Sequence, residues 1–286
     1  MRTEDGEISF IRRKDVFKSE YSGKVKREGP KRQGFITMVS HCSIENLHFV
    51  DTLAASWDGP ISIAVFIDRN EVEFMRLVEY YHQCFKHIRA KTTFHLMYPE
   101  SMALCFTKIN CDAFGAKLKE SPMYMRPLKG MSYPHNSLRN LATPTNGNGY
   151  VFHIDIDMIP SFNLHEEFLK YAETLDNRIL ESSIFIVPAF EYKHHTDDIP
   201  RTKLELMQRS VNREIRTFYS KACWKCQFNT NYRKWKYLKT KTMTTYDIES
   251  KFYNYEPYYI VRADRFIPYD ERFLGRGYDR ISQVLS

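Results

Sequence analysis

The clearest pattern of apolar and polar positions lies in residues 150–161, which read YVFHIDIDMIPS. Apolar and polar side chains alternate there, as they do on a strand, where successive side chains point to opposite faces. A strand over this stretch places Asp155 and Asp157 together on one side, and Pro160 ends it because proline cannot donate to a ladder. The pattern therefore predicts two acids at the C-terminal end of an apolar strand, the end at which open α/β sheets bind ligands.

The chain before this strand alternates predicted strands with predicted helices. Strands are predicted at 34–40, 61–67 and 92–97, and helices at 43–57 and 70–88. This order is typical of a parallel α/β sheet. Residues 98–127 are less regular and are predicted to be an insertion, and a helix is predicted over 133–142.

The chain after this strand continues the mixture of elements. The predicted helices are 165–175 and 201–219, the predicted strands are 183–191 and 256–262, and a short terminal helix follows an acidic, glycine-containing loop at 269–280. Residues 220–245 show little periodicity, and the polar residues 1–33 are predicted to be an extended or loosely ordered leader. No linker interrupts the rest, which favours one domain over residues 34–286.

Composition and charge narrow the class of partner. The 286 residues are 43% apolar, enough for a real core, and the formal net charge of +7 suits an anionic substrate such as a sugar nucleotide, an anionic glycan or nucleic acid. Residues 232–241 (YRKWKYLKTK) interleave aromatic and basic side chains, although a solvated helix face is the favoured interpretation. No recognised nucleic-acid motif is present, so no nucleic-acid partner is expected.

The six cysteines permit disulfides without requiring them. Cys223 and Cys226 have Cys-x-x-Cys spacing, but no second pair completes a zinc site, so free or disulfide-bonded structural cysteines are predicted. No run of eighteen apolar residues and no signal-peptide pattern occurs, so no membrane span is expected in this chain.

The acidic pair suggests a cation site. Asp155 and Asp157 would repel each other, and Mg²⁺ or Mn²⁺ held by one or two carboxylates and a substrate's phosphates would relieve that repulsion. An ordinary strand end running into a polar loop is the alternative. Arg139, on the predicted helix over 133–142, could approach phosphates together with the helix N-terminal amides, or it could form a structural ion pair.

Six segments together resemble one family. In order along the chain they are WDGPISIAVFID, YPHNSLRNLA, VFHIDIDMIPS, IVPAFE, EPYYIVRAD and YDERFLGRGYDRISQVL. Their order and spacing are similar to those of the LARGE-type and β-1,4-glucuronyltransferase sequences, glycosyltransferase family 49. The resemblance covers roughly residues 34–285, and six segments in register are far more specific than any one of them.

The resemblance implies a fold and an activity. The fold is GT-A, with a nucleotide half at about 34–161 and an acceptor half at about 162–286. The activity is Mn²⁺-dependent, inverting transfer of a sugar, glucuronic acid by expectation, from a UDP-sugar to a glycan acceptor. Such enzymes work in the Golgi lumen on glycoproteins. The family continues beyond the position matching Ser286, so a truncated chain is expected, and a catalytically inactive glycan-binding or accessory protein is the alternative.

The resemblance also implies site residues. The metal motif falls on Asp155 and Asp157. The residues expected to bind the nucleotide-sugar are Asn136, Arg139, Asn140, Asp68 and Asp155. Glu191 and Glu256 are expected on the acceptor side. Asp279 is the first candidate for the base that deprotonates the acceptor hydroxyl, with Asp270 and Glu256 as rivals.

Overall fold

The computed structural model describes residues 11–16, 34–67, 72–99, 107–120, 133–144, 149–194, 198–238, 242–249, 253–273 and 280–284. The strands in these ranges are β1 (Ile11–Val16), β2 (Ile36–Ser43), β3 (Ile61–Phe66), β4 (Thr92–Pro99), β5 (Tyr150–His153), β6 (Phe185–Val187), β7 (Phe190–Tyr192), β8 (Ile215–Thr217) and β9 (Tyr258–Arg262). The α-helices are α1 (Phe49–Ser56), α2 (Val72–Cys84), α3 (Lys86–Lys91), α4 (Cys111–Glu120), α5 (His135–Ala142), α6 (Leu164–Glu173), α7 (Asn177–Ser182), α8 (Lys203–Val211), α9 (Lys225–Phe228), α10 (Tyr232–Tyr237) and α11 (Ile281–Val284).

A seven-stranded sheet with the order β1-β4-β3-β2-β5-β9-β6 forms the centre of the molecule. β2 pairs in parallel with β3 and β5, and β3 pairs in parallel with β4. The outer strands β1, β9 and β6 pair antiparallel. This arrangement confirms the α/β class predicted for a GT-A type domain, with a mixed sheet that is parallel at its centre.

The strand order reverses between β2 and β5. From β2 the chain adds β3 and β4 on one side and then returns to add β5 on the other side. Such a reversal opens a crevice at the carboxyl ends of the two strands, and ligands of open α/β sheets bind there. The sheet topology alone therefore makes the end of β5 the expected ligand-binding position.

Both faces of the sheet are covered. Alternate residues of β2 and β3 enter two separate apolar clusters, so that Met38 and Ile63 pack on one face and Val39 and Ala64 on the other. Helices α1, α2, α3 and α6 cover the first face, and α5 contributes Leu138 to the second. All six residues of β3 are buried, as expected for a central parallel strand with helices on both sides.

The prediction of one long strand over 150–161 is wrong. β5 stops at His153, because its pairing with β2 ends at Val39 and its pairing with β9 ends at Phe152. Pro160 lies well beyond that point and does not cause the termination. Without a partner strand on either side, the alternating pattern alone cannot hold residues 155–161 extended.

Other predicted boundaries also change. The helix predicted over 201–219 ends at Val211, Arg213 adopts a left-handed conformation, and β8 follows. The strand predicted over 183–191 divides into β6 and β7, which are half-buried and belong to different sheets. Residues 98–127 contain a regular helix, α4. The predicted leader contains β1, which pairs with β4, and the rest of residues 1–33 lies outside the described residues.

Two disulfides link described cysteines. Cys84 at the end of α2 is bonded to Cys111 at the start of α4, and Cys223 is bonded to Cys226. Cys42 is a buried free thiol, and burial raises its pKa. The Cys223–Cys226 bond confirms the prediction that these two residues are structural cysteines rather than zinc ligands.

Loss of the Cys84–Cys111 bond is expected to destabilise the domain. The bond joins residues 27 apart, so the double substitution Cys84→Ser/Cys111→Ser should lower the free energy of unfolding by about 3 kcal/mol through the entropy of the unfolded chain. Urea denaturation of both proteins measures this difference. Cys223→Ser/Cys226→Ser is the matched control, and its loss should be smaller because that loop is far shorter. Equal unfolding midpoints for wild type and the first variant would contradict the expectation.

Candidate active site at the end of strand β5

The backbone just after β5 is held by β2 although the ladder has ended. The Ile154 amide donates to the Val39 carbonyl over 3.0 Å, and the Ser40 hydroxyl donates to the Ile154 carbonyl over 2.9 Å. The next residue, Asp155, begins a turn in which the Met158 amide donates to its carbonyl over 3.0 Å. The turn gives the two acids different surroundings, because Asp155 is partly buried at the sheet end and Asp157 is exposed.

Asp155 is held by two donors that come from later in the chain. The Tyr258 hydroxyl, at the first residue of β9, donates to Asp155 Oδ2 over 2.5 Å. The Arg280 guanidinium forms an ion pair with Asp155 Oδ1 and lies over the Tyr258 ring, 4.9 Å from its centroid. The Asp155 side chain is 36% exposed and that of Arg280 is 15% exposed. The three side chains form one interlocked group.

The charge state of this group follows from its contacts. Burial acts to raise the pKa of Asp155, but the Arg280 guanidinium, the Tyr258 hydroxyl bond and Arg139 together hold that pKa below its usual value. Burial opposes the charge on Arg280, yet Asp155 and Tyr258 raise the pKa of Arg280 well above its usual value. Asp155 is therefore a carboxylate and Arg280 a cation at neutral pH.

Arg280 is positioned by the short helix α11 that follows it. The Tyr259 hydroxyl donates to Gln283 Oε1 over 2.6 Å, and Gln283 Nε2 donates to the Ile267 carbonyl over 2.8 Å. Gln283 is itself buried. The helix is thus pinned to β9 and to the loop after it, and this fixes the guanidinium over the strand end.

Helix α5 forms the second wall of the crevice and is clipped to residues 269–271. Asn140 Nδ2 donates to the Tyr269 carbonyl over 2.8 Å, while the Tyr269 amide donates to Asn140 Oδ1 over 2.9 Å. Asn136 Nδ2 donates to the Asp270 carbonyl over 2.8 Å. Both asparagines, predicted to lie near a nucleotide, therefore connect α5 to the segment that leads toward Arg280.

Arg139 lies buried between these elements. Its guanidinium donates to Asn136 Oδ1 over 2.7 Å and lies 5.1 Å from the centroid of the Tyr269 ring. Its positive charge reaches Asp155 and lowers the pKa of that carboxyl. The structure thus brings Arg139 and Asp155, both predicted from the sequence, into one electrostatic neighbourhood.

Two imidazoles complete the polar lining. His41 is near the end of β2, with Nδ1 at 2.9 Å from the Tyr133 hydroxyl, and His153 ends β5, stacked on Phe266 with ring centroids 4.6 Å apart. Burial first, and then the charge of Arg139, holds the pKa of both well below its usual value, so both are neutral at pH 7. Within the described residues, His41 Nε2 and His153 Nδ1 are buried without a hydrogen-bond partner.

The remaining predicted acids lie apart from this group or carry other contacts. Asp270 accepts from Arg272, and these hydrogen bonds lower its pKa to about 2. Glu191 accepts from Arg216 over 2.5 Å across the antiparallel pair of β7 and β8. Glu256 is half-buried, and its carbonyl accepts from Gln227. Asp68 and Asp279 lie outside the described residues.

Arg280 and Tyr258 were missed as site residues from the sequence. Both are in segments that carried the family resemblance, EPYYIVRAD and GRGYDRIS, but their spacing from Asp155 along the chain carries no signal. Their separation from Asp155 is more than a hundred residues, so only the sheet order can bring them together. A tyrosine at the start of a strand gives no indication that its hydroxyl, rather than its ring, is the functional part.

The donor set at the turn suits a hard divalent cation. Such a cation binds oxygen ligands and often needs only one or two carboxylates besides phosphates and water. Asp155 and Asp157 supply these oxygens at the mouth of the crevice, although Arg280 and Tyr258 already occupy the Asp155 carboxylate. Among the described residues no group of three His, Cys, Asp or Glu side chains is arranged to hold a metal. The turn therefore offers at most two carboxylates, and both oxygens of one of them, Asp155, already accept from Arg280 and Tyr258.

Sequence comparisons match nearly the whole chain. A family described as "Glycosyl-transferase for dystroglycan" matches residues 35–286. "Beta-1,4-glucuronyltransferase 1" of Danio rerio is 32% identical, covering 98% of this chain and 68% of that protein. "Xylosyl- and glucuronyltransferase LARGE2s" of the same organism is 28% identical, covering 87% of this chain and 28% of that protein.

A third relative and one solved structure also align with most of this chain. "Beta-1,4-glucuronyltransferase 1" of Bos taurus is 30% identical over 87% of this chain and 62% of that protein, so the chain spans less than two thirds of two of the three relatives. Staphylococcus aureus TarS (residues 1–349) aligns over 86% of this chain and 53% of that chain, with 13% identity and a TM-score of 0.34. That structural likeness is too weak to carry an argument.

Substitution of Arg280 is expected to destabilise the folded chain. Arg280→Gln leaves a partly buried carboxylate without its cation, which should lower the free energy of unfolding by about 2 kcal/mol, less than for a fully buried pair because Asp155 is partly exposed. Urea denaturation at pH 7 measures the loss. Arg272→Gln is the matched control, and no measurable change is expected because the Arg272 side chain is 90% exposed. Equal losses in the two variants would show that the Asp155–Arg280 pair contributes no more to the free energy of unfolding than an exposed ion pair does.

Proposed function

The chain belongs to the family of glycosyltransferases described as acting for dystroglycan, and we propose that it transfers glucuronic acid from a UDP-sugar to a glycan acceptor. Membership of this family confirms the resemblance that the six sequence segments carry and the prediction of a glycosyltransferase. The choice of donor rests on relatives named beta-1,4-glucuronyltransferase and xylosyl- and glucuronyltransferase. Transfer with inversion at the anomeric carbon, to the glycan of a glycoprotein, is part of the proposal.

The observation that carries the proposal is the charge arrangement at the β2–β5 crevice. Arg139 is buried close to the place where open α/β sheets bind ligands. Arg280 is held there by its ion pair with Asp155, and the exposed Asp157 follows in the turn. A UDP leaving group gains negative charge on its diphosphate as the sugar–phosphate bond breaks. Arg139 is buried and close enough to influence Asp155, and its positive charge would stabilise the charge that develops on the diphosphate.

A bound Mn²⁺ or Mg²⁺ would supply further stabilisation of the same diphosphate charge. Asp157 is the residue proposed to meet the cation, because it is exposed in the turn after β5. Asp155 would contribute through the oxygen atoms that Arg280 and Tyr258 orient. The role of these two donors is to keep the Asp155 carboxylate ionised and fixed in direction, so that the turn presents its acids in one arrangement.

Inverting transfer also needs a base that takes the proton of the acceptor hydroxyl as its oxygen attacks the sugar. Asp279 remains the first proposed base, with Glu256 and Asp270 as rivals. Asp270 is poorly suited, because its bonds with Arg272 lower its pKa to about 2 and so weaken its affinity for a proton. Glu256 is half-buried, and its carbonyl accepts from Gln227 of α9.

An oxidising compartment fits the cysteine chemistry. Two disulfides join described cysteines, and disulfides persist in the secretory pathway but are rare in the cytosol. We therefore propose that the domain works in the Golgi lumen. Within the described residues, no helix is both long and apolar enough to cross a membrane.

Metal-dependent binding of UDP tests the donor site. Calorimetric titration of the wild type with UDP should give binding that strengthens at least tenfold when Mn²⁺ is added, because the cation joins the diphosphate to the acidic turn. Asp157→Asn should lose the metal-dependent part. Asp264→Asn is the matched control, since that acid pairs with Arg262 away from the turn, and it should bind as the wild type does. No UDP binding by folded wild type would overturn the donor site and favour a catalytically inactive glycan-binding protein.

The base is tested by comparing three substitutions. Asp279→Asn or Glu256→Gln should lower kcat by about 100-fold or more if that residue is the base, and Asp270→Asn should leave kcat within about threefold. Release of UDP from UDP-glucuronic acid with a glycan acceptor measures the rate. A large loss only in Asp270→Asn would contradict the argument from its low pKa.

A further inference from the structure

An open cavity of about 600 Å³ lies among β8, α9, α10 and the loop 242–249. This volume is within the range of ligand pockets in proteins, roughly 300–1,000 Å³. The cavity contains none of the predicted site residues. Its lining combines exposed aromatic rings, amides and hydroxyls, and includes Phe218, Trp224, Gln227, Phe228, Asn229 and Asn231.

Two aromatic rings stand at the edge of the cavity. Trp224 is 53% exposed and Phe228 is 46% exposed, and their ring centroids are 5.5 Å apart with the planes close to perpendicular. The two adjacent rings form a contiguous exposed apolar patch, and such patches are a feature of binding surfaces, whereas single exposed apolar side chains are common. The apolar C–H face of a sugar ring stacks on such an aromatic surface while its hydroxyls remain available for hydrogen bonds.

Polar groups with fixed positions form the base of the cavity. Gln227 and Asn229 are almost fully buried. Gln227 Nε2 donates to the Glu256 carbonyl over 2.5 Å, so its amide is oriented by the backbone that leads into β9. A few oriented polar groups beneath an aromatic rim are typical of sites that bind one class of small molecule.

The Cys223–Cys226 disulfide holds Trp224 in its outward position. Trp224 lies between the two bonded cysteines, so the bond closes a tight loop around it. The Cys223 amide donates to the Tyr219 carbonyl over 2.8 Å, and the Cys226 amide donates to the Cys223 carbonyl over 3.1 Å. Because the loop cannot rearrange freely, little entropy is lost when a ligand stacks on the ring.

The cavity adjoins the candidate active site. Phe218 lines the cavity, and its ring centroid is 5.5 Å from that of Tyr258. Tyr258 in turn donates its hydroxyl to Asp155. One aromatic contact therefore separates the cavity lining from the residues proposed to bind the donor, which is the arrangement required for a sugar acceptor beside a donor.

We propose that this cavity is the acceptor subsite and binds a neutral oligosaccharide, with one pyranose ring stacked on Trp224 and flanked by Phe228, whose ring is nearly perpendicular to that of Trp224. The inference rests on the proposed function for its role in transfer, but the binding itself does not depend on it. Neutral sugars are favoured because the charged residues in the lining balance, with two basic residues, Arg233 and Lys234, and two acidic ones, Asp247 and Glu249. A lining with no net charge offers an anionic polymer little attraction.

Direct binding of sugars by the full chain tests the proposal without a donor. The probes are neutral xylose-, glucose- and galactose-based tetrasaccharides, with a heparin tetrasaccharide as the anionic comparison, titrated in a calorimeter. The wild type should bind at least one neutral probe more tightly than heparin. Trp224→Ala should weaken that binding about tenfold or more, and Trp224→Phe, which keeps an aromatic face, should weaken it less than threefold.

Tyr253→Ala is the matched control, because Tyr253 is 84% exposed but does not line the cavity, and its binding should stay within twofold of wild type. Phe228→Ala provides a second cavity variant if Trp224→Ala folds poorly. Failure to bind any neutral probe, tighter binding of heparin, or equal effects of Trp224→Ala and Tyr253→Ala would overturn the proposal. If the wild type binds a sugar but not UDP, the result would support the sugar-binding cavity and contradict the proposed transfer from a UDP-sugar.

Discussion

The ion pair between Asp155 and Arg280 is the interaction on which the candidate site depends. A carboxylate at the end of a buried strand requires a cation or several donors, because burial otherwise opposes its charge. Arg280 supplies that cation from the far end of the described chain, and Tyr258 adds a second donor. The pair therefore keeps Asp155 ionised and also attaches the segment that begins α11 to the sheet.

The sheet topology explains why the pair forms where it does. β5 and β9 are antiparallel neighbours, so the end of β5 lies beside the start of β9, and Tyr258 reaches Asp155 without leaving its strand. β2 lies on the other side of β5 and contributes the carbonyl and hydroxyl groups that hold the backbone after His153. The strand order thus brings β2, β5 and β9, which are separate along the chain, together at one crevice.

Helix α5 and the cavity lined by Trp224 lie on two sides of this crevice. The asparagines of α5 donate to the backbone carbonyls of Tyr269 and Asp270, which keeps Arg139 near Asp155 on one side. On the other side the ring of Phe218 packs against Tyr258 and leads toward Trp224. A donor site and an acceptor site of a transferase must meet at the reacting atoms, and Tyr258 lies between the two surfaces proposed here.

Local sequence alone determined the class of the fold and the position of the acidic pair. The apolar-rich stretches in β2, β3 and β4 predict buried parallel strands, since a strand covered on both faces is mostly apolar on both. The apolar stretch before them places Asp155 and Asp157 just after a buried strand, although the strand that the alternation predicts through both acids does not form. The family resemblance added roles that no pattern of spacing could supply.

Only the tertiary structure decided how that pair is used. β5 ends at His153 because its neighbours stop pairing there, and a strand's length depends on partners that its own sequence does not contain. The same limit hid Arg280 and Tyr258 as site residues, because both lie more than a hundred residues from Asp155 along the chain. Ion pairs and aromatic contacts act over a few ångströms in space, so residues far apart in sequence become one site only when the sheet order places them together.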